Sequence, residues 1–157
     1  MTAISHPMRR AAPLLATVLL LFAAAMPGPA RAGVVNLNSD GVAVQGYDVV
    51  AYFDQSRAVE GKAEFTAEYD GATYRFASAA HRDAFMAEPA KYAPAYGGYC
   101  AYAMAVGEKA PVDPMSFTVV DGSLYLNYSS GVQATWREDI AGYIRSADEH
   151  WKSVGAQ

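Results

Sequence analysis

Two Asp-Gly pairs, Asp70-Gly71 and Asp121-Gly122, each stand between short runs of alternating apolar and polar residues. A two-residue hairpin turn needs φ > 0 at both central positions, and Asp-Gly meets that need at low cost. The first pair joins Glu64–Tyr69 to Ala72–Phe76. A two-residue loop there sets Tyr69 opposite Ala72, Ala67 opposite Tyr74 and Phe65 opposite Phe76. Phe65, Ala67, Tyr69, Ala72, Tyr74 and Phe76 then share one face, and Thr66, Glu68, Thr73 and Arg75 the other, which pins the register. The second pair joins Ser116–Val120 to Ser123–Tyr128, with Val119 facing Leu124 and Phe117 facing Leu126. The flanking sequences of the two hairpins differ, so the likeness is shared turn chemistry and not an internal repeat.

Helical signals fill the remainder. Ser78 is placed to cap a helix running to about Glu88, where Pro89 stops it. His81 and Phe85, four residues apart, share its face. Tyr99 to about Val106 reads as a helix ended by Gly107. From Ser129 onward the sequence is helical to the end. Trp136, Ile140, Tyr143, Ile144, Ala147 and Trp151 make one apolar stripe that clamps the sheet, with His150 on the solvated side. Val34–Val44 reads as an irregular or edge segment, and Asp48 caps a short helical turn after Gly46. The predicted fold class is α+β: one small domain of two Asp-Gly hairpins packed against helices, with a C-terminal amphipathic helix.

The first 32 residues read as a signal peptide. Arg9-Arg10 supply a basic start, residues 11–26 are almost wholly apolar, and Ala30-Arg31-Ala32 is an A-x-A cleavage site. The apolar run is shorter than the roughly 20 residues a spanning helix needs. No further polar signature follows Arg9-Arg10, which favours ordinary export over the twin-arginine route. The expectation is an exported, periplasmic protein beginning at Gly33, with no membrane segment after cleavage. Three of the 12 basic residues leave with the signal, so 9 face all 16 acidic ones, for a net charge of −7. Nucleic acid and anionic lipid, which select basic patches, are poor partners for such a chain.

Chemistry concentrates in Tyr96-Gly97-Gly98-Tyr99-Cys100-Ala101-Tyr102-Ala103-Met104. It holds the one cysteine of the 157 residues, so no intramolecular disulfide can form. Two readings follow. In the first, a helical Cys-x-x-x-Met puts both sulfurs on one face, the neighbouring helix brings in His81, and Cys100, Met104 and His81 hold a soft metal ion, copper before zinc. In the second, Cys100 is a reactive thiol: a cysteine in the first turn of a helix has its thiolate stabilised by free N–H groups, and a protonated His81 nearby would add to this. Its oxidation would need an outside thiol or a thiol partner protein to complete a cycle. Tyr47, Asp48, Tyr99 and Tyr102 are candidates to line the same site. No Ser-His-Asp set, phosphate loop or carboxylate pair appears, so a binding protein is favoured over an enzyme. An interaction module without chemistry is the third reading.

Tyr69-Asp70-Gly71-Ala72-Thr73-Tyr74-Arg75-Phe76-Ala77-Ser78, then His81, Phe85, Pro89 and Lys91-Tyr92, resemble the YHS domain, a hairpin-plus-helix family found in copper-handling and other metal-linked proteins. The core of the likeness covers about residues 64–92. Gly46–Phe53, Tyr96–Ala101, Leu124–Tyr128 and Trp151 are similar to its exported bacterial branch, which extends the likeness over most of residues 33–157. Some relatives in that branch carry selenocysteine where Cys100 stands, which implies a reactive thiol here. Two cysteines of the family's metal-type pattern correspond to Ala77 and His81, and the cysteine expected before the hairpin is absent. The resemblance therefore implies a metal-linked role without the usual thiolate cluster.

Overall fold

The computed structural model describes residues 34–155; the expected signal peptide lies outside them. Both Asp-Gly pairs form the turns their chemistry requires. Asp70 and Gly71 have φ of 52° and 77°, and Asp121 and Gly122 have 48° and 76°. They join β1 (Lys62–Tyr69) to β2 (Ala72–Phe76) and β3 (Asp113–Val120) to β4 (Ser123–Asn127), two separate antiparallel sheets of two strands. The pairs Tyr69–Ala72, Ala67–Tyr74, Val119–Leu124 and Phe117–Leu126 are as the turns dictate. The expected Phe65–Phe76 pair does not form. The ladder shifts between Lys62 and Thr66, and Phe76 faces Lys62. A turn fixes register only as far as the first irregularity, and a bulge resets it.

Around the hairpins lie α1 (Ala51–Asp54), α2 (Ala79–Ala87), α3 (Pro89–Tyr92), α4 (Ala101–Ala105), α5 (Ser130–Glu138) and α6 (Ile140–Val154). The fold is thus α+β, as expected. Ser78 caps α2 by accepting the His81 N–H, and Ser129 caps α5 by accepting that of Val132. Pro89 does not simply end α2; it opens α3 from the first helical position, where its missing N–H costs nothing.

The C-terminal helix is two helices. Asp139 leaves helical geometry (φ −146°, ψ 66°), and its carboxylate accepts the Gly142 N–H to start α6. The apolar stripe survives the break because both halves pack on one cluster: Trp136 and Ala147 are buried in it, with Ile140, Tyr143, Ile144 and Trp151 against it. This cluster also holds Tyr96, Met104 and Tyr125, and α6 packs chiefly on α4 and not on a sheet. His150 is not on a solvated side. Its ring lies against Gly107, and its Nδ1 is buried.

A second cluster joins the two hairpins through Val49, Tyr52, Tyr74, Phe76, Phe85, Leu124 and Leu126. Burying a large side chain of this kind stabilises by about 1.5–3 kcal/mol. Cys100 sits in this cluster, at the seam between it and α4.

Candidate functional site

Backbone conformation delivers Cys100 to that seam. Tyr96 and Gly97 both lie in the left-handed region, with φ of 55° and 60°. The chain before the first hairpin crosses over them: Asn36 N–H donates to Gly97 O at 2.9 Å, and Asn36 Nδ2 to Gly98 O at 3.0 Å. A Cβ at residue 97 would run into the carbonyl oxygen of Val34, so this crossing requires glycine. The following turn sets Cys100 as the N-cap of α4, only five residues long, so the expected helix from Tyr99 to Val106 is shorter at both ends.

The thiol is 1% exposed. Its Sγ accepts the Ala103 N–H at 3.5 Å and the Tyr128 N–H at 3.3 Å, from two different parts of the chain. Its S–H is directed to Asn127 Oδ1 at 3.9 Å. Asn127 is itself 0% exposed, and its Nδ2 has no hydrogen-bond partner. Buried amide donors are nearly always paired, and an unpaired one costs about 1–3 kcal/mol. Sequence reasoning missed Asn127. The available signal was a lone amide in the otherwise apolar strand Leu124-Tyr125-Leu126-Asn127.

His81 lies in a different constellation. Asp48, 0% exposed, is its hub. Asp48 Oδ1 accepts the Val50 N–H at 2.9 Å, while Oδ2 accepts the Ala77 N–H at 2.8 Å and meets His81 Nδ1 at 2.6 Å. His81 Nε2 faces Asp54 Oδ2 at 3.0 Å, where Asp54 is 48% exposed. Both ring nitrogens therefore lie against carboxylate oxygens. Asp48 does not cap α1 as expected. It forms a turn onto Val50, one residue before that helix, and ties the turn to the β2–α2 junction. Asp54 gave no sequence signal, because its partner lies 27 residues on.

The other candidates divide between the two clusters, with Tyr47 and Tyr102 against the one that holds Cys100, and Tyr99 and Tyr102 against the other. Met104 is fully buried in the cluster of Trp136 and Tyr125, not that of Cys100. Tyr47 bridges Glu60, Tyr99 lies under Lys109 Nζ at 5.8 Å, and the ring of Tyr102 meets Tyr143 at 5.2 Å. An open cleft of about 450 Å³ runs between Tyr69, Tyr74, Lys91, Tyr96 and Trp151. None of Tyr47, Asp48, Tyr99, Tyr102, Cys100 and His81 lines it.

The stretch of sequence that forms α1, the β1–β2 hairpin and α2 is matched by a family model. Residues 49–96 match the YHS domain. This is consistent with a metal-related role. The match takes in α1 as well as the hairpin and helix that carried the resemblance, and it stops before Cys100. No curated protein and no solved structure matches the chain.

The expected metal trio is not a ready ligand set. Each His81 nitrogen is engaged by a carboxylate, Met104 packs in another cluster, and the Cys100 sulfur shares no hydrogen-bond partner with either. Among the described residues, no group of three or more His, Cys, Asp or Glu is placed to hold a metal ion. The two positions that correspond to the family's cysteines do converge, but on a carboxylate. The Ala77 N–H and His81 Nδ1 share Asp48 Oδ2.

Proposed function

We propose that this protein is an exported YHS-domain thiol protein whose chemistry resides in Cys100. The observation that carries the reading is the surroundings of Sγ: two backbone N–H donors from separate elements and a buried amide converge on the single cysteine. A thiol serving only as filler needs none of these. Its burial selects the reagent. A protein disulfide cannot approach a sulfur that is 1% exposed, so the partner is a small molecule. Export rests on the signal-like residues 1–32, and protein recovered from the periplasm is expected to begin at Gly33. No helix among the described residues is long and apolar enough to cross a membrane.

The test exposes the folded protein to hydrogen peroxide and, separately, to a small disulfide, and reads modification of Cys100 by intact mass. Modification in the folded state, absent in Cys100→Ser, is expected. A thiol inert to both reagents until denaturant is added would sink the reading. Cu(I) titration supplies the competing outcome. Stoichiometric binding lost in both Cys100→Ala and His81→Ala would replace the thiol with a metal site.

A further inference from the structure

The unpaired amide beside Cys100 narrows the reagent class. Asn127 Oδ1 takes the S–H, and Asn127 Nδ2, on the same side chain, is buried and donates to nothing. No protein oxygen among the described residues supplies the acceptor. An oxygen atom bonded to Sγ would. Rotation of the amide about its terminal torsion exchanges the two ends, so the group that accepts from S–H can donate to an oxidised sulfur. We infer that Cys100 is built to take one oxygen atom from a small hydroperoxide, and that Asn127 is the donor that holds the resulting sulfenate. This rests on Cys100 being the reactive group proposed above.

The step balances with the hydroperoxide alone. The Cys100 S–H gives up its proton to solvent, and the ionised sulfur attacks the terminal oxygen of ROOH. The S–O bond forms as the O–O bond breaks, and the departing alkoxide takes the hydroperoxide proton to give ROH. Sulfur loses two electrons and the peroxide gains them. The Ala103 and Tyr128 N–H groups hold the sulfur, and Asn127 Nδ2 meets the negative oxygen it acquires. The sequence offers no second cysteine, so an internal disulfide cannot follow. Return requires a small thiol: R′SH displaces the oxygen as water with uptake of a proton, and a second R′SH releases Cys100 and leaves R′SSR′. The orphan donor distinguishes this from thiol–disulfide exchange, which adds a sulfur and delivers no oxygen acceptor.

The experiment follows oxidation of the purified full chain by hydrogen peroxide, with a sulfenate-selective trap and intact mass as readouts. Asn127→Leu keeps the volume and removes the donor. Asn127→Ser, too short to reach the sulfur, serves if the leucine variant loses its thermal transition. The wild type is expected to accumulate a singly oxygenated Cys100. Both variants are expected to form it roughly ten-fold or more slowly, the effect of one lost hydrogen bond to a charged group. Equal rates in wild type and variants would overturn the role of Asn127 and leave Cys100 as the reactive thiol. Modification by a small disulfide but not by peroxide would overturn the hydroperoxide assignment alone. A thiol inert to both would end this inference and the proposed function together.

Discussion

Replacing Asp48 by alanine tests whether the buried carboxylate holds the YHS segment together. Its two oxygens receive Val50 N–H, Ala77 N–H and His81 Nδ1 at 2.9, 2.8 and 2.6 Å. Each hydrogen bond to a charged group is worth about 1.5–3 kcal/mol, but the three share one acceptor group and do not add in full. Breaking a buried pair by removing one partner costs about 3–5 kcal/mol, and we take that range for Asp48→Ala. Against a total of about 5–15 kcal/mol, this removes a large share of the stability. With a urea slope near 2 kcal/mol/M, the unfolding midpoint falls by about 1.5–2.5 M. Asp48→Asn falls less: its oxygen can still serve Val50, while its NH2 confronts the Ala77 N–H. A cycle combining Asp48→Ala with His81→Ala should show a coupling of about 1–3 kcal/mol. A midpoint shift under about 0.5 M for Asp48→Ala, or no coupling, would refute the hub.

Three further outcomes are expected. Gly97→Ala puts a methyl against Val34 O at a φ of 60°, so it should cost about 1–3 kcal/mol and speed proteolysis near Val34; a thermal transition unchanged from wild type would contradict the crossing. Met104→Ala empties a fully buried site beside Trp136, and a loss of about 2–5 kcal/mol by chemical denaturation is expected; a loss below about 1 kcal/mol would mean that the cluster repacks freely. Burial, first of all causes, raises Tyr52, Tyr74 and Tyr96 well above the ordinary tyrosine value, and for Tyr96 the bond to Asp148 adds to it. A raised folded value means stability that is intact below about pH 10 and lost as pH climbs above it. Tyrosinate absorbance should therefore show these three of the eleven tyrosines ionising only with unfolding; eleven titrating together near pH 10 would contradict it.

What the sequence made legible was local. Two Asp-Gly turns, the Ser78 cap and one apolar stripe each concern residues a few positions apart, and each is present. The losses came where a short-range rule was carried too far. The turn's register does not extend past the bulge to Phe65, and the stripe does not lie on one helix because the Asp139 carboxylate starts a second. Helical spacing put Cys100 and Met104 on one face, but Cys100 is the cap of a five-residue helix, not a member of it, and its sulfur turns back to Ala103. The partners that define both constellations are 27 to 33 residues apart, as with Cys100–Asn127 and Asp48–His81, and no periodicity reaches that far.

The two constellations also explain how a YHS domain can hold its shape with neither of the cysteines that its metal-type pattern carries. Those positions here are Ala77 and His81, and they must still be fixed against the chain that precedes the hairpin. A metal ion would do this by binding side chains from both segments. Asp48 does it with one carboxylate, accepting from the backbone at Ala77, from the ring of His81 and from its own turn at Val50. The joint then needs no thiolate, and it leaves no ring nitrogen open to a ligand, because Asp54 covers the other one. The one sulfur nucleophile lies beyond the matched residues 49–96, on the far side of the Gly97–Gly98 turn, and its nearest polar neighbours are amides, not acids. Amide donors suit an anion formed on sulfur or on an oxygen bound to it, whereas carboxylates would repel it. The separation of acid-lined joint from amide-lined thiol is the physical reason to look for this protein's chemistry at Cys100 and not at the domain's former cysteine positions.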